Sequence, residues 1–400
     1  MEFDLDDNRT SIMRGLFLLF SLVCSTVWMS CVKQNPSNVI LIGEVSSMTG
    51  GEATYGLSAH RGIELALEQV NARGGIQGKK LKLVSMDSQG KPDESARAIA
   101  KLISQDGVSA VVTGVISSNA LAMAPIAQKN SVPMLATIST HPKVTEQGDQ
   151  IFRICLMDSF QGTVMAKFAL EHLKLKKIVI MRDVKSDYSV GLSETFASVL
   201  KAGGGEILME QSYSGGDIDF KAQLTAVRGK APDAIYVPGY YSDVSLIARQ
   251  ARELGLSIPL LGGDGWDSPK LKEIGGDALS GSYFSGLYSP EGSSPLLKKF
   301  LESYQIAYQT APDGLAVMGY EGMQVLADAM ARAQPLNSKG IREALATTRN
   351  FEAVTGKISM DSHRNALRSA VVLRVEKDGH LKYTATVQAS ENALPSRHSW

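Results

Sequence analysis

The chain has 400 residues, 44% of them hydrophobic, an ordinary globular composition with room for two sizeable cores. Lysine plus arginine equals aspartate plus glutamate at 41 each, so charge gives no reason to expect a nucleic-acid partner. Three cysteines and six histidines show no metal-ligand spacing, which predicts neither a metal site nor a disulfide.

Met13-Arg14 leads into an apolar run from Gly15 to Trp28, too short and too abruptly polar afterwards for a transmembrane anchor. Residues 1–31 therefore read as a secretory signal, with translation expected to start at Met13. Cys31 closes the apolar segment and precedes the polar "VKQNPSN", an arrangement that resembles a bacterial lipobox. It predicts lipidation at Cys31, with ordinary cleavage near Ser30 as the alternative. Residues 32–37 read as a tether, and the aperiodic stretch 389–400 as a frayed tail.

From residue 38 onward the pattern alternates. A continuous apolar run at 39–45 predicts a buried strand. The stretch 59–75 predicts a helix, because Ile63, Ala66, Leu67 and Val70 recur at i, i+3, i+4 and i+7 before Gly74-Gly75. A strand at 80–87, a helix at 92–107, a strand at 109–114, a helix at 119–130 and a strand at 132–138 follow. The rhythm restarts after 150–158 with helices at 161–174, 190–204, 219–229 and 244–255. Strands at 177–183, 206–213, 233–239 and 259–264 follow these helices in turn. After the segment "SYFSGLYS" at 282–289, a long helical stretch is expected from Pro295 to Ala333, and a strand pair at 356–361 and 369–379 with a turn between. Strands linked by helices imply parallel sheets, so the prediction is α/β with two doubly wound lobes. Their boundaries are expected at 38–155 with 288–368, and 156–287 with 369–388.

In such folds a ligand sits beyond the carboxyl ends of the strands. The loop "GVISSNA" offers Ser117 and Ser118, and "TISTHP" offers Ser139 and Thr140. Neither a GxSxG elbow nor a phosphate-binding glycine run is present. The hydroxyls instead suit a small anionic group at a serine-capped helix start, and plain capping and turn chemistry is the bland reading. In the second half Tyr240 and Asp264 follow strands, an acid and a hydroxyl placed to hold an ammonium. The pattern describes the two poles of a free amino acid.

The runs "GEVSSMTGGEATYG", "GIELALEQVNARGGIQGKKLKLVSMD", "DYSVGLSETF", "VPGYYSDVSLIARQARELGL" and "LLGGDGWDSP" carry a resemblance. Across about 38–388 the chain resembles the periplasmic leucine/isoleucine/valine-binding proteins, substrate-binding components of branched-chain amino-acid ABC transporters. The resemblance implies a type I periplasmic binding protein, a Venus-flytrap whose lobes are joined by three crossings, near 153–158, 284–288 and 366–371. Carried over by position, Tyr55 covers the cleft mouth, and Ser117, Ser118, Ser139 and Thr140 bind a carboxylate. Tyr188 and Tyr240 close from the second lobe, and Asp264 binds the α-ammonium. Leu315 and Trp266 are further candidates for the side-chain pocket. The resemblance implies an exported, monomeric, non-enzymatic protein in the periplasm or cell envelope, without a cofactor, whose partners are an amino acid and a membrane permease. A sensory module of the same fold, or a binder of amides, urea or aromatic acids, is the alternative.

Overall fold

The computed structural model describes residues 38–388. The signal segment, Cys31, the tether and the 389–400 tail lie outside the described residues. The first sheet has five strands in the order β2-β1-β3-β4-β5. These are β1 (Val39–Ser46), β2 (Lys80–Asp87), β3 (Ala110–Gly114), β4 (Met134–Ala136) and β5 (Ile151–Arg153). Helices α1 (Ala53–Ala72), α2 (Pro92–Ser104) and α3 (Ser117–Lys129) connect them. Helix α2 starts on a proline, carries Asp93 and Glu94 in its first turn, and buries Ser95, Ala98, Ile99 and Leu102. Those acids sit where the helix dipole favours them. Ile42 of β1 and Ile63 of α1 are fully buried, each worth about 1.5–3 kcal/mol relative to exposure.

The second sheet has seven strands in the order β15-β14-β10-β9-β8-β6-β7. Its parallel part comprises β6 (Lys177–Asp183), β7 (Glu206–Tyr213), β8 (Ala234–Tyr236), β9 (Leu260–Gly262) and β10 (Tyr283–Gly286). Between them run α4 (Asp158–Lys167), α5 (Asp187–Ala202), α6 (Lys221–Lys230) and α7 (Tyr241–Glu253). Strands β14 (Ala370–Val375) and β15 (Leu381–Val387) extend this sheet in antiparallel fashion. A small antiparallel sheet joins β11 (Phe351–Ala353), β12 (Gly356–Met360) and β13 (Ala366–Leu367).

Three sequence expectations change. The expected 59–75 helix starts at Ala53, because the glycine-flanked "EATYG" winds into its first turn. The stretch Pro295 to Ala333 is two helices, α8 (Pro295–Tyr308) and α9 (Gly314–Arg332). Gln309 takes a left-handed conformation at the first helix end, and the Asp313 side chain caps the second by accepting the Ala316 N–H at 2.9 Å. Such an end and such a cap split the apolar period without interrupting it. The strands at 356–361 and 369–379 do not pair with each other. Strand β12 pairs with β11 and β13, whereas β14 pairs with β10 and β15 in the other sheet. Among the described residues, strand β15 and a helix at Ser338–Ala346 had no sequence-based expectation.

Register places the functional loops. Ser46 pairs with Gly114 and Thr113 with Ala136, so β1, β3 and β4 end side by side. The loops after β3 and β4 are therefore neighbours at one edge. Tyr236 pairs with Leu261, which makes the loops after β8 and β9 neighbours in the same way. On the first sheet α9 crosses α1 closely at Gly62 and Gly319. A Cβ at Gly319 would lie 2.1 Å from the Ala59 carbonyl oxygen, so only glycine permits this approach.

Candidate ligand-binding site

The carboxyl ends of the two sheets face each other across a small cavity of about 20 Å3. From the first sheet come Tyr55, Ile116, Ser117, Ile138, Thr140 and Leu315. From the second come Tyr188, Tyr240, Asp264 and Gly265. Its two walls are carried by different sheets.

The polar end of the first wall is built on Ser117. Helix α3 begins at this residue, after Ile116 in extended conformation and without a side-chain cap. The Ser117 hydroxyl oxygen accepts the N–H groups of Thr140 and His141, each at 3.2 Å. With its oxygen engaged twice, the hydroxyl keeps its proton for a further acceptor. No lysine, arginine or histidine lines the cavity.

The second wall carries the acid. Asp264 opens a short 3-10 turn after β9. Its N–H donates to Gln161 Oε1 at 3.1 Å, and the neighbouring Gly265 N–H donates to the Tyr188 hydroxyl at 3.0 Å. Burial pushes the Asp264 carboxyl up to about 6, against the pull of Gln161 and Tyr188. A second acid stands close by. Asp158 begins α4, is 1% exposed, and neither of its carboxylate oxygens has a hydrogen-bond partner. Burial drives its pKa well above the usual carboxylate range. Thr140 opposes that shift, and the charge of Asp264 reinforces it. An orphaned buried carboxylate is costly unless a donor or cation reaches it. This pole is built for a positive group.

The tyrosines present rings rather than hydroxyls. The Tyr55 hydroxyl donates to the Gly265 carbonyl and accepts the Tyr241 N–H at 3.1 Å, joining α1 to the second sheet across the cleft. The Tyr240 hydroxyl meets Ser186 at 3.4 Å. Tyr188 and Tyr240 stack with ring centroids 5.3 Å apart, and Tyr55 meets Tyr240 edge-on at 5.8 Å. With Ile116, Ile138 and Leu315 they form an apolar chamber beside the two poles.

A family model described as periplasmic binding protein matches residues 39–380. The chain belongs to the periplasmic binding protein family. It is 30% identical to the Leu/Ile/Val-binding protein BraC3 of Rhizobium johnstonii over 323 residues, 80% of this chain and 87% of the relative. Among solved structures it is similar to the leucine-binding protein LivK of Thermotoga maritima. That likeness has 38% identity and a TM-score of 0.84, covering 87% of this chain and 99% of the other. It is also similar to LivJ of Streptococcus pneumoniae in complex with isoleucine. Here the identity is 33% and the TM-score 0.82, with 88% of this chain and 99% of that one covered.

Within this periplasmic binding protein, six sequence-derived residues line the cavity: Tyr55, Ser117, Thr140, Tyr188, Tyr240 and Asp264. Two others do not. The Ser118 hydroxyl donates to Asp187 of α5 at 2.8 Å, a bond between the two halves of the chain. The Ser139 hydroxyl donates to the Val115 carbonyl at 2.5 Å, tying the two neighbouring loops together. Leu315 lines the cavity, whereas Trp266 is fully buried and donates its indole N–H to the Val237 carbonyl at 3.0 Å. Sequence reasoning missed Asp158, a buried acid that stands near Asp264 without lining the cavity. Its signal was an acid directly after the apolar run Ile154–Cys155–Leu156–Met157, where burial was foreseeable.

Proposed function

We propose that this protein is the exported substrate-binding component of an amino-acid ABC transporter. It captures a small aliphatic amino acid by hinge closure and delivers it to a membrane permease. The carrying observation is the division of polarity. The Ser117 and Thr140 hydroxyls line one wall, the buried Asp264 carboxyl lines the other, and an apolar chamber lies beside these two poles. Ser117 and Thr140 take the ligand carboxylate, Asp264 takes its ammonium, and Tyr55, Tyr188, Tyr240 and Leu315 surround its side chain. Each half supplies part of the site, so the ligand favours the closed arrangement.

The reading is one of binding without chemistry. The buried Cys155 thiol and the cavity tyrosines are all shifted upward by burial, so none is an activated nucleophile. A few charge-assisted hydrogen bonds of about 1.5–3 kcal/mol each, with side-chain burial, bring the affinity into the micromolar range or tighter. A thermal-shift screen tests the reading with the twenty amino acids, simple amides, urea and benzoate. Stabilisation by leucine, isoleucine or valine supports it. Stabilisation by benzoate or urea alone overturns it.

The working protein is placed in the periplasm as a monomer, held at the membrane through a lipid on Cys31. Cell fractionation checks the anchor: the wild type should travel with membranes and Cys31→Ala should be released. A soluble wild type replaces the anchor by simple cleavage.

A further inference from the structure

Arg153 ends β5 at the first crossing, is fully buried, and does not touch the cavity. Its guanidinium is held only by neutral acceptors. Nε and Nη2 donate to Asn365 Oδ1 at 3.1 and 2.6 Å, and Nη2 donates to the Thr145 hydroxyl at 3.2 Å. Nη1 donates to the carbonyls of Ser139 at 3.2 Å and His141 at 2.7 Å. No carboxylate pairs with it directly, an unusual condition for a buried cation.

The two carbonyls belong to the loop whose N–H groups converge on Ser117. The peptide joining Ser139 to Thr140 is planar and trans, so its carbonyl and its N–H point in opposite directions. The carbonyl faces Arg153 and the N–H faces Ser117 Oγ. The next peptide repeats the arrangement, since the Thr140 carbonyl accepts the Asp158 N–H at 3.1 Å while the His141 N–H reaches Ser117. The first crossing therefore grips the back of the donor loop, with a side chain at one peptide and a backbone N–H at the other.

We propose that Arg153 is a positioning residue for the ligand carboxylate, acting through the Ser139–Thr140 peptide and the Ser117 hydroxyl. The guanidinium polarises the peptide, the polarised N–H draws on Ser117 Oγ, and the serine O–H becomes a stronger donor to the carboxylate. Chains of hydrogen bonds reinforce one another in this way where water is excluded. A cation placed behind the wall also balances the ligand's negative end without offering the cavity a group that could pair with Asp264. This rests on the reading of the cavity as an amino-acid site.

The test compares L-isoleucine with L-isoleucinamide, which keeps the amine and the side chain and lacks the carboxylate. Calorimetry gives both affinities for the wild type, Arg153→Met and Asn365→Asp. Asparagine to aspartate keeps the acceptor of Arg153 and adds a negative charge beside it, so it serves if Arg153→Met does not fold. The relay predicts that isoleucine affinity falls by about tenfold or more in each folded variant, while isoleucinamide affinity changes little. Arg153→Lys should recover part of the loss. Equal losses for both ligands, or an unchanged isoleucine affinity in Asn365→Asp, overturn the relay and leave the amino-acid site standing. A wild type that binds no amino acid overturns both.

Discussion

Asp264 ties the site to pH in two opposite ways. In the unliganded fold its carboxyl is raised to about 6, above the usual value of 3.8. A raised acid binds its proton more tightly when folded, so its contribution to stability grows as pH falls from about 6 towards 4. An ammonium needs the ionised form, so affinity is full above pH 6 and weakens as pH falls through that value. Calorimetry from pH 5 to 8 should show affinity flat at the upper end and falling by up to about tenfold per pH unit below 6. Asp264→Asn should remove that dependence and lower affinity by about 2–5 kcal/mol, with little change in the unliganded melting temperature.

The element that carries Asp264 is a single 3-10 turn, and its tolerance is small. A Cβ on Gly265 would stand 2.8 Å from the Gly239 carbonyl oxygen, 3.1 Å from Tyr240 Cδ1 and 3.2 Å from Tyr188 Cε1. Gly265→Ala must therefore push the turn away from the stacked tyrosines. The expected cost is about 1–3 kcal/mol, as for an overpacked core. Because the same turn also accepts the Tyr55 hydroxyl, the loss should fall mainly on binding. Titration with isoleucine should show at least a tenfold weaker affinity for a chain whose circular dichroism is unchanged.

At the scale of the molecule, the crossings hold buried charges that the cavity does not use. Arg368 stands between β13 and β14 and pairs with Glu321 of α9 and with Thr355. It also donates to the Ile154 carbonyl of the first crossing at 2.9 Å. One guanidinium thus links two crossings to a helix of the first sheet. Removing it strands the fully buried Glu321, so Arg368→Met should lose about 3–5 kcal/mol in urea denaturation. Adding Glu321→Gln to the same chain should restore much of that loss, because no uncompensated charge remains. Failure of the second change to restore stability would locate the cost in packing instead.

Alternation of apolar runs and helical periods was enough to read β1 to β4 and β6 to β9, the α/β class and the strand ends that matter. Ser117, Thr140, Tyr240 and Asp264 were legible because they lie beside those ends, where local pattern and site coincide, whereas Tyr55 and Tyr188 came from the family resemblance alone. The break between α8 and α9 was not legible, since a capped turn leaves the apolar period intact. The separation of β12 from β14 was hidden for a different reason: β14 takes as one partner β10, far back along the chain in the other sheet. The same distance hid Arg153 and Asp158. Whether a buried arginine meets carbonyls or a carboxylate, and whether an acid meets a donor or none, is settled only when distant segments pack. Chemistry confined to one loop follows from the order of residues, whereas electrostatics of the buried site follows from which loops are brought together.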